Sequence, residues 1–193
     1  MPDLIYFVNH PLFNVIFFMI VKYMTKNIPL EDPSIISLIR NIYLAAQAVI
    51  LGLNYWLIAV VRKKNDQTIL RYIEPGQQGW DGSTGPDQLI NTTFMDYDIA
   101  EIKKGIKQSF TGIMMIAFLH LQFHYIQPLI LHSIMGFKTF FMSKEARIHL
   151  WQGRTTSGEL RRPFRTESPF GLFIPENRQP RIASRKERSR KVE

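Results

Sequence analysis

DIAEIKKGIKQSFTGIMMIAFLHLQFHYIQPLILHSIMGFKTFFM, residues 98–142, decides how the rest of the chain is read. The stretch begins charged and amphipathic, is almost uncharged after Gln108, breaks at Gln127-Pro128 and resumes as an apolar run. That profile predicts a helix entering a membrane from a basic aqueous face. Asp98-Ile-Ala-Glu101 has the spacing of a capping box, with Asp in place of Ser or Thr, and sets the expected start. Ile99, Ile102, Ile106, Phe110, Ile113 and Ala117 then recur at the three-to-four spacing of one helix face. Run to Ile126, the helix holds 29 residues, or about 43 Å, so its first two turns stand outside a hydrocarbon layer of roughly 30 Å. Pro128 has no amide hydrogen and ends or kinks the helix. Residues 128–142 are too few for a full span and read as a half-span, a re-entrant helix or an interfacial helix.

Two further apolar segments lie upstream. Pro11 opens PLFNVIFFMIVKYM, a short or tilted span over about 11–26 in which Lys22 can snorkel to the boundary. Asp32-Pro33 is a strong helix start, because Asp caps free amides and Pro suits the first turn. A span over 35–61 follows, with Tyr55 and Trp56 near its end and Arg62-Lys63-Lys64 closing it. Residues 62–105 read as a hydrophilic loop. Its glycines at 76, 79, 82 and 85 lack the strand, helix and Gly-Lys-Ser/Thr of a phosphate loop, and Asn91-Thr92-Thr93 is a formal glycosylation sequon. The N-terminal MPDLIYFVNH has no Lys or Arg before its apolar run and no small-residue cleavage site, so no cleavable signal peptide is expected.

The chain carries a net charge of +8, and its distribution separates two regions. Residues 143–193 hold 13 Lys/Arg against 6 Asp/Glu, whereas residues 1–142 are nearly balanced at 11 against 10. The expected fold is therefore an all-α multi-pass membrane protein. It has about three transmembrane helices (11–26, 35–61, 106–127), a short returning or re-entrant helix (128–142) and a flexible, partly disordered basic tail (143–193). The cationic clusters place the 62–105 loop and the tail in the cytosol, opposite a luminal turn near 27–33.

Cysteine is absent, which removes disulfide, thiolate-metal and thiol chemistry. No serine–base pair, carboxylate dyad or nucleotide loop is present, so neither an enzyme nor a cofactor protein is expected. The polar residues in the apolar segments are Asn14, Arg40, Asn41, Gln47, Asn54, His120, Gln122, His124, Gln127 and His132. They are candidates to line a hydrated groove, the first five together with His120, Gln122 and His124 being the main set; interhelical hydrogen bonding is their ordinary role. His120 and His124 stand at i, i+4 with no companion carboxylate on their helix, so no metal is assigned. Arg62, Lys63, Lys64, Lys103, Lys104, Arg161, Arg162 and Arg165 are candidates for contact with a ribosome, with ribosomal RNA non-specifically, or with anionic lipid of the bilayer.

Several local patterns occur together and in order: Glu31-Asp32-Pro33 with Ile35-Ile36 and Arg40, Lys64-Asn65-Asp66, Tyr72-Ile73-Glu74-Pro75-Gly76, Asp96-Tyr97-Asp98 with Glu101-Ile102, Tyr125 with Pro128, Ile148-His149-Leu150, and Leu160-Arg161-Arg162-Pro163-Phe164. Over roughly residues 10–172 they resemble the fungal inorganic phosphate transport protein 88 family, also known as the third component of the SRP-independent (SND) targeting pathway. The resemblance implies a multi-pass membrane protein of the endoplasmic reticulum that works with the Sec61 translocon, the ribosome and other SND components on nascent membrane proteins. It implies phosphate-uptake defects through transporter maturation and transfers no catalytic residues. A phosphate transporter or its regulator is the alternative, although such a protein places several cationic groups at the midplane, whereas Arg40 is the single candidate here and lies near a membrane boundary, and no internal repeat is present.

Overall fold

A computed structural model describes residues 11–26, 32–76, 85–151, 160–165 and 179–183. Residues 1–10, most of the luminal turn expected near 27–33, the centre of the glycine-rich loop (77–84), and residues 152–159, 166–178 and 184–193 of the expected tail lie outside the described residues.

Among the described residues, five helices and three strands follow in chain order: α1 (Pro11–Thr25), α2 (Pro33–Lys64), β1 (Ile69–Glu74), β2 (Gln88–Thr93), α3 (Phe94–Phe123), α4 (Gln127–Met142), α5 (Lys144–His149) and β3 (Arg181–Ile182). The α2 start is built as its sequence demands, with the Ser34 amide donating to Asp32 Oδ1 at 2.8 Å and Pro33 in the first turn. Its end is a left-handed Asn65 at φ 47° whose amide returns to the Val61 carbonyl. The α3 start differs from the expected one. Thr93 is the cap, taking the Asp96 amide at 3.1 Å and donating its hydroxyl to the Asp96 carboxylate at 2.9 Å. The helix thus begins a turn before Asp98, leaving that residue inside it.

Two findings overturn the all-α multi-pass expectation. The first is a three-stranded antiparallel sheet in the order β2-β1-β3, with Ile69 opposite Thr93 and Glu74 opposite Gln88. Ile69-Leu70-Arg71-Tyr72-Ile73 and Leu89-Ile90-Asn91-Thr92-Thr93 are rich in strand formers, and pairing lets β1 bury Leu70 and Ile73. The second is that only Pro33–Lys64, among the described helices, is long and apolar enough to cross a membrane. At 15 and 16 residues, α1 and α4 fall short of the roughly 20 that span a bilayer. Much of the length of α3 is spent on its charged first turns, and Lys107, Gln108, His120 and Gln122 interrupt the remainder.

Most of the buried apolar side chains lie toward one end of the molecule. Leu57, Ile58 and Val61 of α2, Ile99, Ile102 and Ile106 of α3, Phe140 of α4 and Ala146 of α5 form one cluster. Leu70, Tyr97, Ile148, Leu160 and Phe164 form a second beneath the sheet. Beyond Ile106 the α3 stripe loses its cover, and Phe110 is half exposed. From there α2, α3 and α4 extend as a layer of helices with α1 laid on α4. Tyr23 (78%), Leu121 (73%) and Met114 (71%) show how bare its outer faces are.

Candidate functional site

Polar residues spaced along the helical layer meet one another across its interior. Arg40 on α2 donates from Nε to His120 Nε2 on α3 at 2.8 Å. Because that nitrogen accepts, the His120 hydrogen sits on Nδ1 and is donated to the Tyr125 carbonyl at 3.0 Å. Deeper in the layer the Tyr43 hydroxyl and the Gln47 amide, both on α2, converge at 3.3 Å on Nδ1 of His132 from α4. Gln47 is buried, and the 89-residue and 85-residue separations of these pairs make them true interhelical bonds. The same imidazole closes over Gly112, where an added Cβ would lie 3.2 Å from its Nε2. A third bond joins Lys138 of α4 to Asn14 of α1, with the ammonium 4.7 Å from the Phe13 ring centre.

Five of the proposed groove residues therefore enter interhelical contacts: Asn14, Arg40, Gln47, His120 and His132. The others are placed differently. Asn54 turns back on its own helix to the Ile50 carbonyl at 2.8 Å, and Asn41 and Gln122 are exposed. His124 is the left-handed residue that ends α3, at φ 57°, so it does not share a helix face with His120. Tyr43 and Lys138 belong to these contacts but look like an aromatic and a surface lysine in sequence; only the i, i+4 spacing of Tyr43 and Gln47 hinted at a shared face.

At the opposite end the buried chemistry is ionic. Asp98, 1% exposed, accepts from Arg162 Nε at 2.6 Å and Nη2 at 2.5 Å, and from His149 Nε2 at 2.7 Å. The Arg162 guanidinium lies 4.6 Å from the Phe94 ring centre. Beside it the Phe164 amide donates to the Tyr97 hydroxyl at 2.8 Å, and burial holds the Tyr97 phenol well above its ordinary range, neutral and able to accept. Glu145 is pushed up to about 7, first by burial and then by Glu101 and Asp98, against its own backbone bond and Lys144. Burial, Glu74 and Glu101 raise the Tyr72 phenol to about 12. Arg162 is thus turned inward, unlike the rest of the cationic set proposed for external contact. Arg62, Lys63, Lys64, Lys103, Lys104, Arg161 and Arg165 are exposed. Among the described residues, no group of three His, Cys, Asp or Glu is placed to hold a metal.

These features define a class: a helical layer with bare apolar faces and a polar interior, joined to a small α/β cap locked by a buried ion pair. The chain belongs to the phosphate transport (Pho88) family, which it matches over residues 8–193. It is 35% identical to SRP-independent targeting protein 3 of Saccharomyces cerevisiae, over 84% of this chain and 85% of that one. Over 74% of this chain and 72% of the other, it is 32% identical to the SRP-independent targeting protein 3 homolog of Schizosaccharomyces pombe. No solved structure matches the chain.

Proposed function

We propose that this chain is a non-enzymatic factor of SRP-independent protein targeting at the endoplasmic reticulum membrane, held there by α2 and easing the entry of nascent membrane proteins along its polar seam. The observation that carries the reading is the seam itself, Arg40–His120 followed by Tyr43 and Gln47 on His132, running between helices whose outer faces are apolar and exposed. A soluble monomer seldom leaves more than a few hundred Å² of contiguous apolar surface bare. Here α2, the only described helix that passes for a span, has just 28% of its most apolar stretch buried, whereas the core helix of a soluble protein is mostly covered. Lipid supplies the missing cover, and the seam gives a polar polypeptide segment partners inside it. The pathway comes from the names of the relatives.

In this reading the exposed Arg62, Lys63, Lys64, Lys103, Lys104, Arg161 and Arg165 face the aqueous side, where the Sec61 translocon, the ribosome, its RNA and other SND components are the partners. A photoreactive residue at the exposed Gln122 is expected to crosslink to a nascent membrane protein during synthesis, and the chain to co-purify with ribosome–translocon complexes. The family description also suggests phosphate transport. Purified chain in proteoliposomes is expected to leave phosphate flux at background; phosphate uptake together with absent substrate crosslinks would replace targeting with transport.

A further inference from the structure

We infer that Arg40, held by His120, is a binding site for the phosphate of a glycerophospholipid in the leaflet opposite the α/β cap. The inference rests on the membrane placement of α2 proposed above. Between Arg40 and Arg62 lie 21 residues without a formal charge, Asn41–Val61. The 22-residue step from one arginine to the other rises about 33 Å, close to the roughly 30 Å hydrocarbon thickness. With Arg62-Lys63-Lys64 at one boundary, Arg40 falls at the other. The neighbouring helix agrees in length, although its charged Glu101, Lys103, Lys104 and Lys107 fall between the two levels, toward the Arg62 boundary. Ile99 shares a cluster with Val61, and His120 is bonded to Arg40, so both helices advance 21 residues between the two levels in opposite directions.

What makes this a site rather than a boundary arginine is its geometry. The Nε is committed to His120, whose ring is in turn fixed by the Tyr125 carbonyl. Its orientation is therefore set from behind, and the Nη1/Nη2 edge, which has no partner among the described residues, can form the bidentate fork that suits two phosphate oxygens. His120 accepts from Arg40 and adds no negative charge, and among the described residues no carboxylate pairs with Arg40. Leu38 and Ile42 on α2, and Leu121, Phe123 and Tyr125 after His120, are exposed at the same level. They offer acyl chains a surface beside the charge. A free phosphate ion would use the same fork but gain nothing from that surface.

Native mass spectrometry of the full chain, released from micelles with added phosphatidate, is the test. Wild type is expected to retain one lipid that Arg40→Gln loses at least tenfold. Arg40→Lys, which keeps the charge but not the fork, should fall several-fold, and Arg62→Gln should bind as wild type. Equal retention by folded Arg40→Gln, checked by circular dichroism, would overturn the site. Displacement by equimolar inorganic phosphate would assign it to a free anion instead. Alkaline carbonate extraction separates the premise from the inference: wild type leaving the membrane pellet overturns the placement of α2, whereas retention of both wild type and Arg40→Gln leaves the lipid measurement to decide alone.

Discussion

Asp98 receives two nitrogens of Arg162 and one of His149, and none of the three side chains has more than a few per cent of its surface exposed. Breaking a buried pair from one side leaves an uncompensated charge, which costs about 3–5 kcal/mol. Asp98→Asn is therefore expected to lower the melting temperature of the cap and to free residues 160–165 for proteolysis. Arg162→Lys should follow in the same direction, because an ammonium cannot span both carboxylate oxygens. Glu145 gives a pH dependence of definite sign. Its carboxyl titrates near 7 in the folded chain and near 4.5 unfolded, so between those values the folded state binds the extra proton. Stability then falls as pH rises from about 4.5 to about 7 and is flat above. Glu145→Gln should remove that dependence and be the more stable form at pH 8, by up to about 3 kcal/mol. Thermal unfolding of both forms at pH 5, 6.5 and 8 measures it, and parallel curves would show that Glu145 is not strained.

At the scale of elements, the bounds of α1, α2 and α4 were legible because Pro11, Asp32-Pro33 and Pro128 punctuate strongly apolar runs. The sheet was not. Its strands are joined across 13 residues rather than by a tight turn, and β3 comes from about 90 residues downstream, so no local signal announces the pairing. Asp98 misled for a related reason: a carboxylate three residues before Glu101 looks like a cap, and only the fold brings His149 and Arg162 to it. The seam was half legible, since polar residues in apolar runs mark themselves, but which of them meet depends on how α2, α3 and α4 pack. Thr93→Ala is expected to cost about 1 kcal/mol through the true cap of α3, with faster amide exchange over residues 94–97. At the α2–α4 crossing, a Cβ on Gly136 would lie 2.6 Å from Ile50 Cδ1. Gly136→Ala thus forces the end of the Ile50 side chain to move, at the low end of the about 1–3 kcal/mol of overpacking because that end can rotate away. Gly52→Ala, with open space around it, should cost nothing and even stabilise the helix.

For the whole molecule the question is whether the cap and the helical layer are one cooperative unit. The cap draws on distant chain: Ile148, Leu160, Phe164 and Arg162 pack against Leu70, Tyr97 and Asp98. The layer is held by its own contacts, Tyr43 and Gln47 on His132, Arg40 on His120 and Gly136 against Ile50, none of which involves residues after Ser143. Truncation after Ser143 removes α5, the 160–165 segment and β3. It strips the cover from Tyr97 and Leu70 and leaves Asp98 with neither partner. Local opening free energies differ across a structure when contacts segregate in this way. In detergent, hydrogen exchange of the truncated chain is expected to quicken over residues 69–74 and 88–102 while residues 43–54 and 129–137 keep their protection. The shared cluster of Leu57, Ile58, Val61, Ile102 and Phe140 is where the two would couple, and it loses only Ala146 and part of its cover from Leu150. Loss of protection along the whole of α2 and α4 would mean instead that the cap holds the helices together.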